Sequence, residues 1–409
     1  MLSTPTPPRV ATEPLTVSVG FQAEQSDRPL LADQLTADVI PTWDELAERW
    51  NRMQAYGVAT PFQNAQWQSI WYGTFGGAPG IEPLLVAVCD RRSGRDVLLL
   101  PLIRRRLGSM TVIEFADLWA TDYNAPLVAP ATPVTPEYAH AVWEQVQNAL
   151  PKADLIRFTK MPIEAGSRSN PLAMLGGARP SKYTGYAIDL PERWDDYIGS
   201  LKKDVRNLLK RRWRRFTEDE KAGLRWIEDP DEGLRTLRTL QAQQTARLAH
   251  RGVRHIFDDP TCITFYERLV VEGLRNGSTK MTALVAENEI VATFLAVANG
   301  KHCTLIRTSQ TTDKRWAPLG LGKLIIERSM HALHERGIRR FDLSIGEYQY
   351  KHDFQVAPVP LFDLEVALTW RGSAAIAKDR VWSALKKYPR VAGLVSSVTR
   401  TLSPKAASL

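Results

Sequence analysis

Hydrophobic residues in the N-terminal half recur first at helical spacing and then at strand spacing. Thr42 and Glu45 form a capping box before an amphipathic segment, which Gly57 ends. After a second helix, three short, mainly apolar runs are separated by turns that contain glycine, which is typical of a strand meander. The predicted elements are helices over 42–57, Ala65–Phe75 and 136–150, and strands over Pro83–Cys89, Asp96–Arg104, Met110–Phe115 and Asp154–Thr159.

The same order of elements recurs in the C-terminal half, without identifiable sequence identity between the halves. Helices precede a three-strand meander, and another helix and a strand follow it. The predicted helices cover about Trp194–Thr217, Asp231–His250, Pro260–Arg275 and Leu319–Arg336, and the strands Lys280–Ala286, Ile290–Ala298, His302–Thr308, Arg339–Ile345 and Leu361–Trp370. This repetition predicts an α/β (α+β) fold with two similar domains.

Composition divides the chain into four regions. Residues 1–40 are rich in Pro and Thr and are predicted to be disordered. The two domains are expected over 41–185 and 186–370, and 371–409 is predicted to be a basic helical tail.

Charge and cysteine content limit the class of partner and the compartment. The net charge is +8, which favours an anionic partner such as a nucleotide cofactor, nucleic acid or a membrane surface. No apolar run approaches the ~20 residues of a membrane-spanning helix, and the N-terminus lacks the pattern of a secretory signal. Three widely spaced cysteines indicate neither a disulfide framework nor a zinc site, so we expect a cytoplasmic protein without a metal.

The segment from Leu319 to Lys323 reads Leu-Gly-Leu-Gly-Lys between a strand and a helix. Backbone N–H groups at a helix start suit a pyrophosphate, and Gly320 and Gly322 permit close approach. The segment is neither a Rossmann fingerprint nor a P-loop. A plain turn at the start of a helix is the alternative interpretation.

Polar and ionisable residues crowd the end of the next strand, from Phe341 to Phe354. Strand ends are where open α/β sheets place their sites. A solvated loop anchored by Phe354 is the alternative.

Together these motifs resemble the CelD-type branch of the GNAT acetyltransferase superfamily, which is associated with bacterial cellulose and exopolysaccharide synthesis. The resemblance extends over about residues 42–370. It rests on Leu201-Lys202-Lys203 with Arg206, Pro318-Leu319-Gly320, Phe341-Asp342-Leu343 with Tyr350-Lys351, Thr60-Pro61-Phe62-Gln63 with Trp67, Leu100-Pro101-Leu102 and Asp122-Tyr123-Asn124. One position departs from the GNAT loop, which begins with Gln or Arg where this chain has Ala317, with Arg315 nearby.

The resemblance implies two tandem GNAT-like domains, each a mixed, mostly antiparallel sheet flanked by helices. It also implies acyl transfer from acyl-CoA to an amine, or to a hydroxyl, of a small-molecule or glycan acceptor. Glu347 and Asp342 are the candidate bases, Tyr350 the proton donor, and Lys351 a stabiliser of developing charge. The candidate cofactor-binding residues are Arg315, Leu319, Gly320, Leu321, Gly322 and Lys323; the candidate substrate-binding residues are Asp122, Tyr123, Asn124 and Arg247.

We expect one donor site per chain, because the segment 116–135 of the N-terminal half has three prolines and no glycine. Two alternatives stay open: a Fem-like transferase that uses aminoacyl-tRNA, and a non-catalytic binding module of a polysaccharide synthesis complex. Nucleic-acid binding through the basic run 202–215 is otherwise not expected, and peripheral membrane contact is an option for the basic tail.

Overall fold

The computed structural model describes residues 31–56, 59–130, 133–166, 168–248 and 256–385. The strands are β1 Leu35–Ile40, β2 Ile81–Asp90, β3 Asp96–Leu107, β4 Met110–Phe115, β5 Leu127–Val128, β6 Leu155–Pro162, β7 Glu164–Ala165, β8 Arg168–Ser169, β9 Arg179–Asp189, β10 Gly223–Ile227, β11 Thr279–Ala286, β12 Glu289–Asn299, β13 His302–Gln310, β14 Arg340–Ile345 and β15 Ala357–Ala367. The helices are α1 Trp43–Tyr56, α2 Ala65–Phe75, α3 Pro136–Ala149, α4 Trp194–Ser200, α5 Lys203–Phe216, α6 Pro230–Leu248, α7 Pro260–Asn276, α8 Leu321–Glu335 and α9 Trp370–Leu385.

Most predicted elements are present, with three differences. Strand β1 lies inside the segment predicted to be disordered. Its first residue, Leu35, is fully buried, and the strand pairs antiparallel with β2. Strands β9 and β10, and the two-residue strands β5, β7 and β8, were not predicted. The basic helix is two helices, because Leu201 and Lys202 have non-helical backbone angles and the Leu201 side chain is buried in the core.

One continuous sheet contains both halves. Its strand order is β1-β2-β3-β4-β6-β15-β9-β14-β13-β12-β11-β10, and β5 adds to β3. In each half a meander of three antiparallel strands is followed by a strand that joins it in parallel, β6 beside β4 and β14 beside β13. The repeated pattern of the sequence therefore corresponds to a repeated topology. The predicted fold class, a mixed and mostly antiparallel sheet flanked by helices, is confirmed.

The two halves exchange their last strands. Strand β9 follows the N-terminal half in sequence but pairs with β14, whereas β15 follows the C-terminal half and pairs with β6. Strands β9 and β15 also pair with each other at the centre of the sheet. A boundary between residues 185 and 186 therefore cuts through β9, and the strand predicted at 361–370 belongs beside the N-terminal half.

The parallel pairs, β4 with β6 and β13 with β14, each separate at the end that lies toward the middle of the sheet. Because β14 is antiparallel to β9, β9 to β15 and β15 to β6, strands β6 and β14 run in opposite directions. The end of β6 at Pro162 lies opposite Leu361, and the end of β14 at Ile345 lies opposite Gly185, which also faces Val359. Both strands thus end near each other, and side chains of the two halves meet there.

Helices cover both faces of the sheet. Helices α1, α2, α6 and α7 share one core, in which Trp67 of α2 contacts Phe265 of α7 with ring centroids 5.1 Å apart. Helix α3 covers the opposite face in the N-terminal half, and α5 and α8 cover it in the C-terminal half. Alternation along β2 assigns Val86 to the α3 core and Leu85 to the shared core. In the part of the chain that the structure describes, no helix is both long and apolar enough to cross a bilayer.

Candidate active site

A cavity of about 820 Å³ opens where β13 and β14 separate. The two strands pair only from His302 to Thr304 and from Arg340 to Asp342. Beyond that point a bulge in β13 leaves Ile306 without a partner in β12, and the strand turns away from β14. The walls are residues 305–310 of β13, residues 343–345 of β14, and side chains of α5, α6 and α8.

The Leu-Gly-Leu-Gly segment forms the rim of this cavity at the start of α8. Leu319 and Leu321 point into the core, where they are 6% and 2% exposed, so the two leucines anchor the turn. Gly320 has φ +56°, and both glycines line the cavity. A Cβ at Gly322 would lie 2.8 Å from Oε1 of Gln310, so glycine keeps the helix start open.

Positive side chains surround the same rim. Arg212 of α5 covers Gly320 so closely that a Cβ there would lie 2.6 Å from a guanidinium nitrogen. Its Nε is buried and has no hydrogen-bond partner among the described residues. Lys323 and Arg247 also line the cavity, and Lys323 is ion-paired with Asp353. This set of cations fits a polyanionic ligand.

Arg315, predicted to contact phosphate, is placed elsewhere. It is exposed and ion-paired with Asp313 at 2.7 Å and with Glu287 at 3.0 Å. It does not line the cavity, since the 313–315 turn directs the guanidinium toward the loop at Glu287.

At the end of β14, residues from both halves meet at Ser344. This residue has φ +64°, and its hydroxyl donates a hydrogen bond to Asp122 of the N-terminal half. The buried Lys351 ammonium donates to the carbonyls of Ser344 at 2.8 Å and Ile345 at 3.0 Å. Burial lowers the pKa of Lys351 to about 8, and burial raises the pKa of Asp122 above its ordinary value, against the opposing charge of Lys160.

Asp342 lies behind the cavity wall rather than in it. It is 2% exposed, accepts a hydrogen bond from the Tyr123 hydroxyl at 2.8 Å, and is not a lining residue. Burial raises its pKa to about 7. Tyr123 and Asn124 are also buried, and Asn124 donates to Asp117 and to the carbonyl of Thr159. Of the three consecutive residues predicted to bind substrate, only Asp122 reaches the cavity.

The aromatic residues that follow β14 are divided between cavity and surface. Tyr350 lines the cavity, and burial raises the pKa of its hydroxyl to about 12, so it stays protonated at neutral pH. Tyr348 stacks on it, with ring centroids 6.0 Å apart. Glu347 is exposed and bonded to Tyr186 and His352, which lower its pKa. It is not among the residues that line the cavity.

Three further residues of the wall, Arg307, Gln244 and Arg212, were not among the predicted site residues. The Nε of Arg307, on β13, donates to the Tyr266 hydroxyl at 2.8 Å, and an arginine inside an apolar strand was the available signal. Gln244 donates to the carbonyl of Thr308 at 2.8 Å. Its spacing from Arg247 on one side of α6 was the signal. Arg212 had no distinguishing signal in the sequence, since it lies within a long basic run.

The corresponding open end in the N-terminal half, between β4 and β6, is filled. Lys160 has φ +56°, is 2% exposed, and its ammonium lies 2.8 Å from a carboxylate oxygen of Asp117. The same ammonium donates to the carbonyl of Thr121, and the Asn124 amide donates to the same carboxylate of Asp117. Within the described ranges, no group of three or more His, Cys, Asp or Glu side chains could hold a metal ion.

Comparisons with known proteins agree with this geometry. Residues 203–352 match the family model for the "Acetyltransferase (GNAT) domain". The crystal structure of FemX has a TM-score of 0.54 at 12% identity and covers 80% of this chain and 96% of that one. A tandem GNAT protein from the clavulanic acid biosynthesis pathway has a TM-score of 0.43 at 14% identity, covering 81% and 98%. No curated protein matches the chain.

The matched segment contains α5, the meander, the Leu-Gly-Leu-Gly segment and Lys351, and hence most of the cavity wall. Residues 203–352 of the C-terminal half are therefore similar to a GNAT acetyltransferase domain. The N-terminal half repeats the topology of the matched half, and the likeness to FemX, which is one of fold, extends over both halves.

Proposed function

We propose that the chain is an acyl-CoA-dependent acyltransferase with one donor site, in the C-terminal half. The observation that carries the proposal is the cavity between β13 and β14, with the start of α8 open on its rim. The first N–H groups of a helix have no partner within the helix, and here Gly320 and Gly322 expose them. A pyrophosphate fits this position, beside Arg212 and Lys323.

The separated strand suits the extended arm of the donor. Peptide groups of β13 beyond Thr304 face the cavity without a partner in β14. An amide-containing chain can pair with such an edge as an added strand does. The donor would thus lie with its phosphates at Gly322 and its acyl group toward Ser344.

The residues at that inner end support a direct transfer. The acceptor's nitrogen forms a bond to the acyl carbon as the carbon–sulfur bond breaks. Asp122 would take the proton of the acceptor, and the Tyr350 hydroxyl would supply one to the departing sulfur. Lys351 acts as a positioning residue, because its ammonium holds two carbonyls at the end of β14. Glu347 and Asp342 are replaced as candidate base by Asp122, since neither lines the cavity.

The acceptor reaches this point between the two halves. Asp122 and Arg307 lie there, and they suit an acceptor that has an amine together with polar or anionic groups. We retain an amine or sugar-linked acceptor, in polysaccharide or envelope biosynthesis of the CelD type, as the proposed context. The cytoplasm remains the expected compartment, because Cys89, Cys262 and Cys303 are all unpaired.

Calorimetric titration with coenzyme A tests the donor site. Gly322→Glu places a carboxylate at the helix start, so we expect the affinity to fall at least ~100-fold, since it combines charge repulsion with steric block. Gly176→Glu is the matched control, because Gly176 is exposed and a Cβ there meets nothing within 4 Å. It should bind as the parent does. Unchanged affinity in Gly322→Glu would contradict the assignment.

A Fem-like transferase is the second candidate, and one observation favours it. Lys210, Arg211 and Arg214 form an exposed basic face on α5, which would suit tRNA. Transfer of an aminoacyl group from charged tRNA, without response to acyl-CoA, would establish it. Binding of coenzyme A without turnover of any thioester would favour the non-catalytic binding module.

A further inference from the structure

Helix α9 packs on the sheet through one narrow face. Ile376 contacts the core formed by Val112 and Leu155. At Gly372 the helix touches the carbonyl of Asp154, where a Cβ would lie only 2.0 Å from the oxygen. Asp379, on the same side, is ion-paired with Arg157 at 2.5 Å. These contacts fix which face of α9 points outward.

The outward face is apolar. Trp370 is 76% exposed and Val381 59% exposed. Ala374 and Ala377 are exposed between them, and spacings of four, three and four residues place all four on one stripe. Such a stripe normally faces a protein core. Here the core-facing position is occupied by Ile376, so the apolar stripe of α9 faces solvent.

Positive charge is concentrated in this part of the sequence. Residues 371–409 include eight Lys and Arg against one acidic residue, a net charge of +7, whereas the whole chain has +8. Arg371, Lys378 and Arg380 are exposed on α9 itself. The one acidic side chain, Asp379, is turned toward Arg157.

We propose that α9 binds the surface of an anionic lipid bilayer. An apolar stripe flanked by cations lies in the plane of a membrane interface, with the apolar side chains among the acyl chains. Anionic headgroups attract the cations. A second copy of the chain is disfavoured, because two segments of +7 would repel each other. Nucleic acid would leave the stripe of Trp370 and Val381 without an apolar partner.

Cosedimentation of the full chain with lipid vesicles tests this proposal. Vesicles of phosphatidylcholine with phosphatidylglycerol should bind the protein at least tenfold more tightly than phosphatidylcholine alone, and 0.5 M salt should weaken the binding. Trp370→Ser with Val381→Ser should lower binding at least tenfold and leave the unfolding temperature unchanged, because both side chains are exposed. Lys378→Glu with Arg380→Glu should act in the same direction. Trp119→Ser is the matched control, since Trp119 is 64% exposed in the N-terminal half, and it should bind as the parent does.

Three results would overturn the proposal. The first is equal binding to neutral and anionic vesicles. The second is anionic-vesicle binding that the α9 variants leave unchanged. The third is absence of vesicle binding together with self-association or capture of a protein partner that depends on Trp370. None of these outcomes bears on coenzyme A binding at Gly322, so the two proposals fail independently.

Discussion

The two halves end their parallel strand pairs in the same way but fill the opening differently. In each, a residue near the end of the strand has a left-handed backbone, Lys160 at φ +56° and Ser344 at φ +64°. The long side chain of Lys160 enters the N-terminal opening and pairs with Asp117. Ser344 is short, and a cavity of about 820 Å³ remains in the C-terminal opening. One topology thus gives a structural unit in one half and a candidate site in the other.

The comparison also shows what the closed half contributes. The loop that follows β4 contains Asp117, which pairs with Lys160, and Asp122, which bonds to Ser344 of the other half. Tyr123 bonds to Asp342 across the same boundary. In the N-terminal half, buried side chains therefore fill the opening between the strands. The same half also completes the wall of the cavity in the C-terminal half.

Replacing Asp122 by Asn should have the largest effect. The amide can still accept the Ser344 hydroxyl but cannot take a proton, so kcat should fall by roughly 10²–10⁴-fold. Steady-state kinetics with the true acceptor measure this. Glu347→Gln is the matched amide substitution outside the cavity and should leave kcat within about twofold of the parent. Equal losses in both variants would contradict the role of Asp122.

The activity should also depend on pH through Asp122. A base must be deprotonated, and burial raises the pKa of Asp122, so activity should fall as pH drops through a value above the ordinary ~4 of an aspartate. The residual activity of Asp122→Asn should lack this acid limb. If the activity of Asp122→Asn still fell at low pH in the same way, the titrating group would be a residue other than Asp122.

Substitution of the two lysines separates packing from binding. Lys160→Met leaves Asp117 without its buried partner and should lower the free energy of unfolding by about 3–5 kcal/mol. Lys323→Met breaks a pair whose lysine is 36% exposed, so its cost should stay below about 1 kcal/mol. Urea denaturation measures both. Lys323→Met should instead weaken the binding of coenzyme A. Similar losses in the free energy of unfolding for the two variants would contradict the comparison.

Reversing the charges of Lys210, Arg211 and Arg214 together should have the smallest effect. All three are exposed and do not line the cavity, so at physiological salt kcat should stay within about twofold. Arg212→Gln, on the same helix, should weaken coenzyme A binding instead. Tight RNA binding by the parent that the triple variant loses would favour the Fem-like alternative.

The sequence predicted local elements well, because they depend on local patterns. The bounds of α2 and β4 are reproduced in full, and Gly320 and Gly322 lie at the predicted helix start. The exchange of β9 and β15 was not predictable. The pattern of apolar and polar residues along a strand does not reveal which half of the sheet the strand joins. That choice rests on pairing between residues far apart in the chain.

The site was predicted only in part, for two physical reasons. Strand alternation fails at Ser344 and Gly346, which have positive φ, so the face on which Asp342 and Glu347 lie could not be counted along the chain. Asp122 approaches from the other half, and its contact with Ser344 depends on the pairing of strands that are far apart in the chain. Tyr350 and Lys351, which do line the cavity, were predicted because they lie close to that strand end in sequence as well as in space.

The number of donor molecules bound per chain tests the central claim most directly. Equilibrium titration of the full chain with a non-hydrolysable acyl-CoA analogue should give a stoichiometry near one, because Lys160 and Asp117 fill the N-terminal opening. The full chain is required, since each half contributes a strand to the other. Binding should vanish in Gly322→Glu and persist in Gly176→Glu. A stoichiometry near two, or one site that persists in Gly322→Glu, would contradict the account.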